Sequence, residues 1–226
     1  MALIGFQAAL FFAPKPSSEE LLQALRSACK DFAAAVPFDV RPLTPASEAA
    51  LAGDDKAYRE IGRQIIVVCS AGDAESTVLI APLDAYSQSN ALMVSPSLTE
   101  SDRDLTNLVW THTVDGIKAL IERMRPTVAQ INGLDEGEGQ AVVSPKTIAP
   151  GAVPEFLTPF TYVEEPGGTR LARAAGSAGM HKVERLAAGW AIQFVPDLYS
   201  AVPGELTEEL EREFGSGAPG YLQTDV

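Results

Sequence analysis

The stretch Gln64–Ala81, QIIVVCSAGDAESTVLIA, decides the fold class. Ile65, Ile66, Val67 and Val68 are β-branched in succession, which favours an extended backbone because such side chains restrict χ1 and pack well on a pleated surface. Ala71-Gly72-Asp73-Ala74 supplies turn chemistry, and Thr77–Ala81 returns as a second apolar run. The reading is a strand over Gln64–Cys69 joined by a tight turn to a strand over Thr77–Ala81, hence an antiparallel hairpin.

Working outward, Leu3–Phe12 is a continuous apolar run of the kind that forms a buried strand, and Ala91–Val94 adds another. Phe38–Val40 reads as a short strand, Ser47–Ala52 as a helical turn, and Gly53–Tyr58 as polar and solvated. Two longer helices stand out. Ser17 and Ser18 followed by Glu19 and Glu20 make a helix start, and Leu21, Leu22, Leu25, Cys29, Phe32 and Ala33 recur at helical spacing as far as Ala35, ahead of Pro37. Thr99, with Asp102 three residues on, starts the second. Leu105, Leu108, Val109, His112, Gly116, Leu120 and Met124 trace its apolar stripe to Arg125, where Pro126 ends it.

Thr127–Ile131 reads as a strand, Gly133–Gly139 as an exposed acidic loop and Phe156–Val163 as a further strand. Gly167–Met180, rich in Gly, Ala and Ser, reads as a long loop. Val183–Leu186 and Trp190–Val195 flank a three-residue hairpin turn, Ala187-Ala188-Gly189, and Leu206–Phe214 is a short acidic helix. Hairpins outnumber strand–helix–strand units, so the expectation is an α+β fold, a mostly antiparallel sheet with two main helices packed on one face. Residues 1–214 are expected to form a single domain and residues 215–226 a flexible tail.

The chain has 226 residues, 46% of them apolar, enough for a substantial core. It carries 30 acidic against 17 basic side chains, a net charge of −13. Such a protein meets a nucleic-acid backbone with a repulsive field, so no direct nucleic-acid partner is expected. No apolar run reaches the roughly 18 residues of a membrane-spanning helix. Met1–Ala13 lacks the basic start of a signal peptide and reads better as a strand, which places the expected location in the cytoplasm.

Signatures of catalysis are absent from the sequence: there is no Gly-x-Ser-x-Gly, no Walker loop, no dinucleotide fingerprint and no His-Glu-x-x-His. Gly167-Gly168 ahead of Thr169 and Arg170 reads as a turn joining two strands rather than an anion cradle. Cys29 and Cys69 read as small buried hydrophobes, and His112 as a packed histidine on its helical stripe with Asp115 three residues on. His181 opens a strand-like run and reads as exposed. No catalytic residue, metal site or cofactor is expected. Trp110 and Trp190 are expected in the core.

The charge is unevenly distributed. Residues 126–165 carry six acids (among them Asp135, Glu136, Glu138, Glu164 and Glu165) against Lys146 alone. Residues 205–226 carry six (Glu205, Glu208, Glu209, Glu211, Glu213 and Asp225) against Arg212. Between these stretches, residues 166–204 are net positive. Concentrated acidity steers a protein onto a basic partner, and it also serves simple solubility.

The Leu3–Phe12 strand leading into Ser17–Ala35, the segment Trp110-Thr111-His112, and the late Gly189-Trp190-Ala191-Ile192 strand start resemble, diffusely over most of the chain, the immunity proteins of bacterial polymorphic and type VI secretion toxins. Within that group the chain looks most like immunity family 52, which accompanies restriction-endonuclease-like toxins. The resemblance implies a specific inhibitor of a cognate protein toxin, a basic nuclease. In that reading Asp135, Glu136, Glu138, Glu164 and Glu165 form the acidic partner-binding surface. Two other readings stand beside it: a small hydrolase or transferase using Cys69 or His112, and an adaptor or chaperone for a secreted effector.

Overall fold

The computed structural model describes residues 3–13, 34, 39–62, 65–71, 74–82, 91–97, 103–135 and 149–222. The sheet contains β1 (Leu3–Phe11), β2 (Asp39–Pro42), β3 (Ile65–Ala71), β4 (Ala74–Pro82), β5 (Ala91–Ser97), β6 (Val128–Asp135), β8 (Phe160–Glu164), β9 (Lys182–Leu186) and β10 (Gly189–Gln193). These nine strands follow the order β2-β3-β4-β5-β1-β6-β8-β10-β9, every neighbouring pair antiparallel. The expected α+β class and antiparallel sheet are what the structure shows. A separate parallel pair joins β7 (Phe156–Leu157) to β11 (Gly220–Tyr221).

The hairpin read from Gln64–Ala81 is present as β3–β4, with Ala71 opposite Ala74 and Ile65 opposite Ile80. The apolar run at the start of the chain lies at the centre, with β5 on one side of β1 and β6 on the other. A central strand is covered on both faces, and its residues divide accordingly. Ala8 and Leu10 join one buried cluster with Trp110, Val114 and Ile117, whereas Ala9 and Phe11 join another with Leu171, Ala175 and Leu206.

Helices cover both faces. On the first lies α3 (Arg103–Met124), whose buried residues Trp110, Val114, Ile117 and Ile121 recur every three or four positions. The stripe read from the sequence is rotated by part of a turn: Gly116 and Leu120 are buried as expected, but Leu108 is exposed. The proposed cap at Thr99 and the helix over Ser17–Ala35, apart from residue 34, fall outside the described residues. Two smaller helices, α1 (Pro45–Ala52) and α2 (Asp55–Glu60), precede β3. Thr44 caps the first, its hydroxyl accepting from the Ser47 N–H, and Asp54 caps the second. The stretch over Gly53–Tyr58 is thus ordered, and Tyr58 is buried rather than solvated.

The opposite face is covered by α4 (Gly167–Ser177) and α5 (Glu205–Phe214). The first of these corrects the sequence reading of a long loop. Leu171, Ala172, Ala174 and Ala175 are buried on one side of the helix, while Arg170 and Arg173 point outward. Its two leading glycines are not a turn between strands. A Cβ on Gly168 would lie 2.3 Å from the Val163 carbonyl oxygen, and one on Gly167 2.3 Å from that of Gly151, so glycine is what lets the helix start against the sheet.

Smaller corrections follow from the pairing. The strand β6 continues to Asp135, so Gly133, Leu134 and Asp135 belong to the sheet and not to an acidic loop. The stretch Phe156–Val163 is interrupted at Thr158-Pro159. The β9–β10 hairpin pairs Leu186 with Gly189, leaving a two-residue turn in which Ala187 takes the left-handed conformation at φ 47°. Gly189 serves a different purpose, since a Cβ there would stand 2.1 Å from the Val163 oxygen. Residues 215–222, expected to fray, form a 3-10 turn over Gly215–Gly217 and then β11.

Candidate interaction surface

Among the described residues, the acids singled out from the sequence do not gather in one place. β6 runs antiparallel to β8 with Val128 opposite Val163, which sets Glu164 and Glu165 beside the start of β6. Asp135 is the last residue of that strand, paired with Leu3. Seven residue steps along the strand separate Val128 from Asp135, about 23 Å at the usual rise. Glu136 and Glu138 lie outside the described residues.

Glu165 is held by its own fold. Its Oε1 accepts from the Thr169 hydroxyl at 2.6 Å and from the Trp190 indole N–H at 3.0 Å, and its Oε2 accepts from the Thr169 backbone N–H at 3.2 Å. The last of these satisfies one of the amides left free at the start of α4, where the N-cap residue Pro166 has no side chain able to do so. Arg185 completes the group, 3.6 Å from the Glu165 carboxylate and 5.9 Å from the centre of the Trp190 ring. The Thr169 hydroxyl, with the indole and backbone N–H groups and Arg185, holds the Glu165 carboxyl below the usual carboxylate range. Trp190, expected in the core, is half-buried over this group, while Trp110 is fully buried. Glu164 pairs in the ladder with Gly189, and its side chain is half-buried.

Other carboxylates are engaged in the same way. Glu213 receives Arg173 at 3.1 Å and Arg170 at 3.4 Å, which ties α5 to α4, and Arg170 also lies over the Phe214 ring at 4.3 Å. Glu184 takes Lys118 and Lys182, joining β9 to α3, and Glu209 takes Arg212. The Glu122 carboxylate accepts from the Ala187 backbone N–H in the β9–β10 turn at 2.9 Å.

One group of acids is left over. Leu206 and Leu210 turn one side of α5 into the core, and the opposite side presents Glu205, Glu208 and Glu211 to solvent. Among the described residues none forms an ion pair with these three. Composition gives their charge, and the structure adds their common face. The signal was their spacing of three around the buried leucines.

The residues of the enzymatic reading are dispersed. Cys69 lies on β3, opposite Val40 and Ser76. His112 is half-buried on α3, and His181 is exposed just before β9. Among the described residues no three His, Cys, Asp or Glu side chains are placed to hold a metal ion, and no helix is long and apolar enough to cross a membrane.

No family model and no curated protein matches this chain. Among solved structures it is weakly similar to the Pseudomonas aeruginosa T6SS protein PA0821. The match has a TM-score of 0.44 and 12% sequence identity, and covers 96% of this chain and 77% of that one.

Proposed function

We propose that this protein is an immunity protein, of the kind grouped in immunity family 52, that acts in the cytoplasm by binding and neutralising a cognate toxin, a basic nuclease. The observation that carries this reading is the division of its carboxylates. Glu165, Glu184, Glu209 and Glu213 are paired within the fold, whereas Glu205, Glu208 and Glu211 stand in a row on α5 with their charge uncompensated. Such a row in a chain of net charge −13 favours a cationic partner and repels nucleic acid. A nuclease presents a basic groove to phosphates, and carboxylates at that groove compete for it. In this reading Glu205, Glu208 and Glu211 are the electrostatic contact, with Glu164 and Asp135 as further, separate acids and Glu165 as a support. Affinity comes from apolar and aromatic anchors, and the charges set the association rate.

The test uses any basic nuclease that co-purifies with the tagged protein from its native host, with DNA cleavage as the readout. Wild-type protein is expected to suppress cleavage at about 100 mM salt and to associate more slowly at about 500 mM, because exposed charge contacts are screened. The triple substitution Glu205→Lys, Glu208→Lys and Glu211→Lys is expected to slow association at least about tenfold while the fold is kept. Cleavage that continues unchanged with excess wild-type protein overturns the inhibitor reading. Suppression that survives the triple substitution at the wild-type rate removes α5 from the interface.

A further inference from the structure

The sheet ends at β9, and the hydrogen bonding of its neighbours fixes what that edge presents. The Glu165 N–H donates to the Ala188 carbonyl and the Phe194 N–H to the Pro159 carbonyl. Bonds alternate along an antiparallel ladder, so Trp190 and Ile192, opposite Val163 and Thr161, also turn their main-chain groups toward β8. Gly189, Ala191 and Gln193 turn theirs toward β9, where they meet Leu186, Glu184 and Lys182. Val183 and Arg185 are left over. Their N–H and C=O groups point out of the sheet, and among the described residues no main-chain group pairs with them.

Exposed edges are commonly blunted by proline, a bulge or an unpaired charge. At the opposite edge, β2 is four residues long and ends in Pro42. By contrast β9 has five residues, no proline and an unbroken register against β10. Its charges are already paired. Lys182 lies 3.3 Å from Glu184, which also takes Lys118 of α3, and Arg185 lies 3.6 Å from Glu165. Lys182 and Glu184 stand on the face covered by α3, whereas Val183 packs against the other buried cluster and Arg185 reaches Trp190.

The order Lys182-Val183-Glu184 is complementary to itself. Laid antiparallel on a second copy with Val183 at the two-fold axis, it sets each Lys182 directly opposite the other copy's Glu184. These are non-hydrogen-bonded positions, where facing side chains come closest. On the other face the two Val183 side chains meet, and their backbones exchange both main-chain bonds. Arg185 then reaches the backbone at His181, exposed just ahead of the strand. A register shifted to centre on Glu184 would set two carboxylates face to face instead. A chain of net charge −13 repels its own copy, and β9 lies within the net-positive stretch over residues 166–204, where that repulsion is least.

We propose that β9 is the two-fold interface of a homodimer, two sheets joined edge to edge with Val183 on the axis. Such isologous pairing uses up β9 in both copies, so assembly closes at two. The interface is separate from the acidic row on α5, so the dimer and the inhibitor reading fail independently.

The test is sedimentation equilibrium of the full chain between about 1 and about 200 µM, where the mass is expected to rise from one chain to two. Amide exchange at Val183 and Arg185 is expected to slow over the same range. Val183→Pro removes an N–H that no bond within the fold uses, so it is expected to keep the fold and weaken the dimer at least about tenfold. Lys182→Glu and Glu184→Lys each set like charges opposite one another in a homodimer, and a mixture of the two variants is expected to restore pairing between them. Should Val183→Pro fail to fold by circular dichroism, this mixing experiment is read in its place. The proposal is overturned if wild type is monomeric at about 200 µM. It is equally overturned if folded Val183→Pro dimerises as wild type does, or if the mixed charge variants associate no more tightly than either alone.

Discussion

The start of α4 and the outer side of α5 are both acidic in sequence, and they use their carboxylates in opposite ways. At α4, Glu165 is surrounded by donors from its own chain: the Thr169 hydroxyl and amide, the Trp190 indole and Arg185. On α5, Glu205, Glu208 and Glu211 face solvent on the side away from Leu206 and Leu210. A carboxylate that has found its partners at home stabilises the fold and has little left to offer another molecule. A carboxylate without them adds little to folding and remains available for recognition. Substitutions at the α4 seat should therefore cost stability, and those on α5 should cost association.

The largest effect is expected where α4 touches the sheet. Gly168→Ala and Gly189→Ala each drive a methyl group to within 2.3 Å of the same backbone oxygen, that of Val163 in β8. A backbone atom in a paired strand cannot swing aside as a side chain can, so each variant should lose about 3 kcal/mol or more in a urea titration. Loss of less than about 1 kcal/mol would mean that the helix start slides away from β8, and the seat would not be the rigid region described. Glu165→Ala comes next, at about 1–2 kcal/mol, because it removes a helix-capping acceptor and leaves the Trp190 N–H and the Thr169 hydroxyl with fewer partners.

The Glu165 carboxyl also sets a pH dependence of defined sign. Its folded-state affinity for a proton lies below the ordinary value of 4.5, so the folded state favours the ionised form. The resulting stabilisation is fully present above 4.5, the value it regains on unfolding, and is lost as the pH falls through the lower folded value. Wild type should exceed Glu165→Gln in melting temperature at neutral pH, with the gap narrowing as acid is added below that point. A gap that stays constant down to about pH 3 would show that the hydrogen bonds matter but the charge does not.

The two regions also differ in how much of them could be read from sequence. The β3–β4 hairpin was legible because β-branched runs and a Gly-Asp turn agree on one answer over a short stretch. The helix α4 was not, because Gly167, Gly168 and Gly176 depress helix propensity and the compensating term is tertiary. Its buried Leu171, Ala174 and Ala175 pack against strands far away in sequence. The pattern was nevertheless there, with Arg170 and Arg173 three apart on the outer side. Glu165 reads as part of an acidic partner-binding surface because nothing local announces that Arg185 and Trp190, twenty and twenty-five residues on, return to that end of the sheet. The α5 face was the reverse case. Its helix, its charge and the spacing of its acids were all in the sequence, but only the burial of Leu206 and Leu210 shows which acids are turned to solvent.

The smallest stability effect, and the sharpest test of the comparison, is expected for Glu211→Lys. Glu211 is exposed, has no ion-pair partner among the described residues and lies in the second half of α5, where the helix dipole favours a cation. Reversal of its charge should therefore move the unfolding free energy by no more than about 0.5 kcal/mol, with a slight gain as the expected direction. Glu213→Ala, two residues away, serves as the matched control. It removes the carboxylate that pairs with both Arg170 and Arg173, although Arg170 keeps its bond to the residue's backbone carbonyl, so it should cost up to about 1 kcal/mol while leaving the solvent-facing row intact. If the α5 row is the contact, Glu211→Lys slows association with the basic partner and Glu213→Ala does not. The opposite ranking would make the α4–α5 junction the recognition element, and the paired carboxylates the ones that matter.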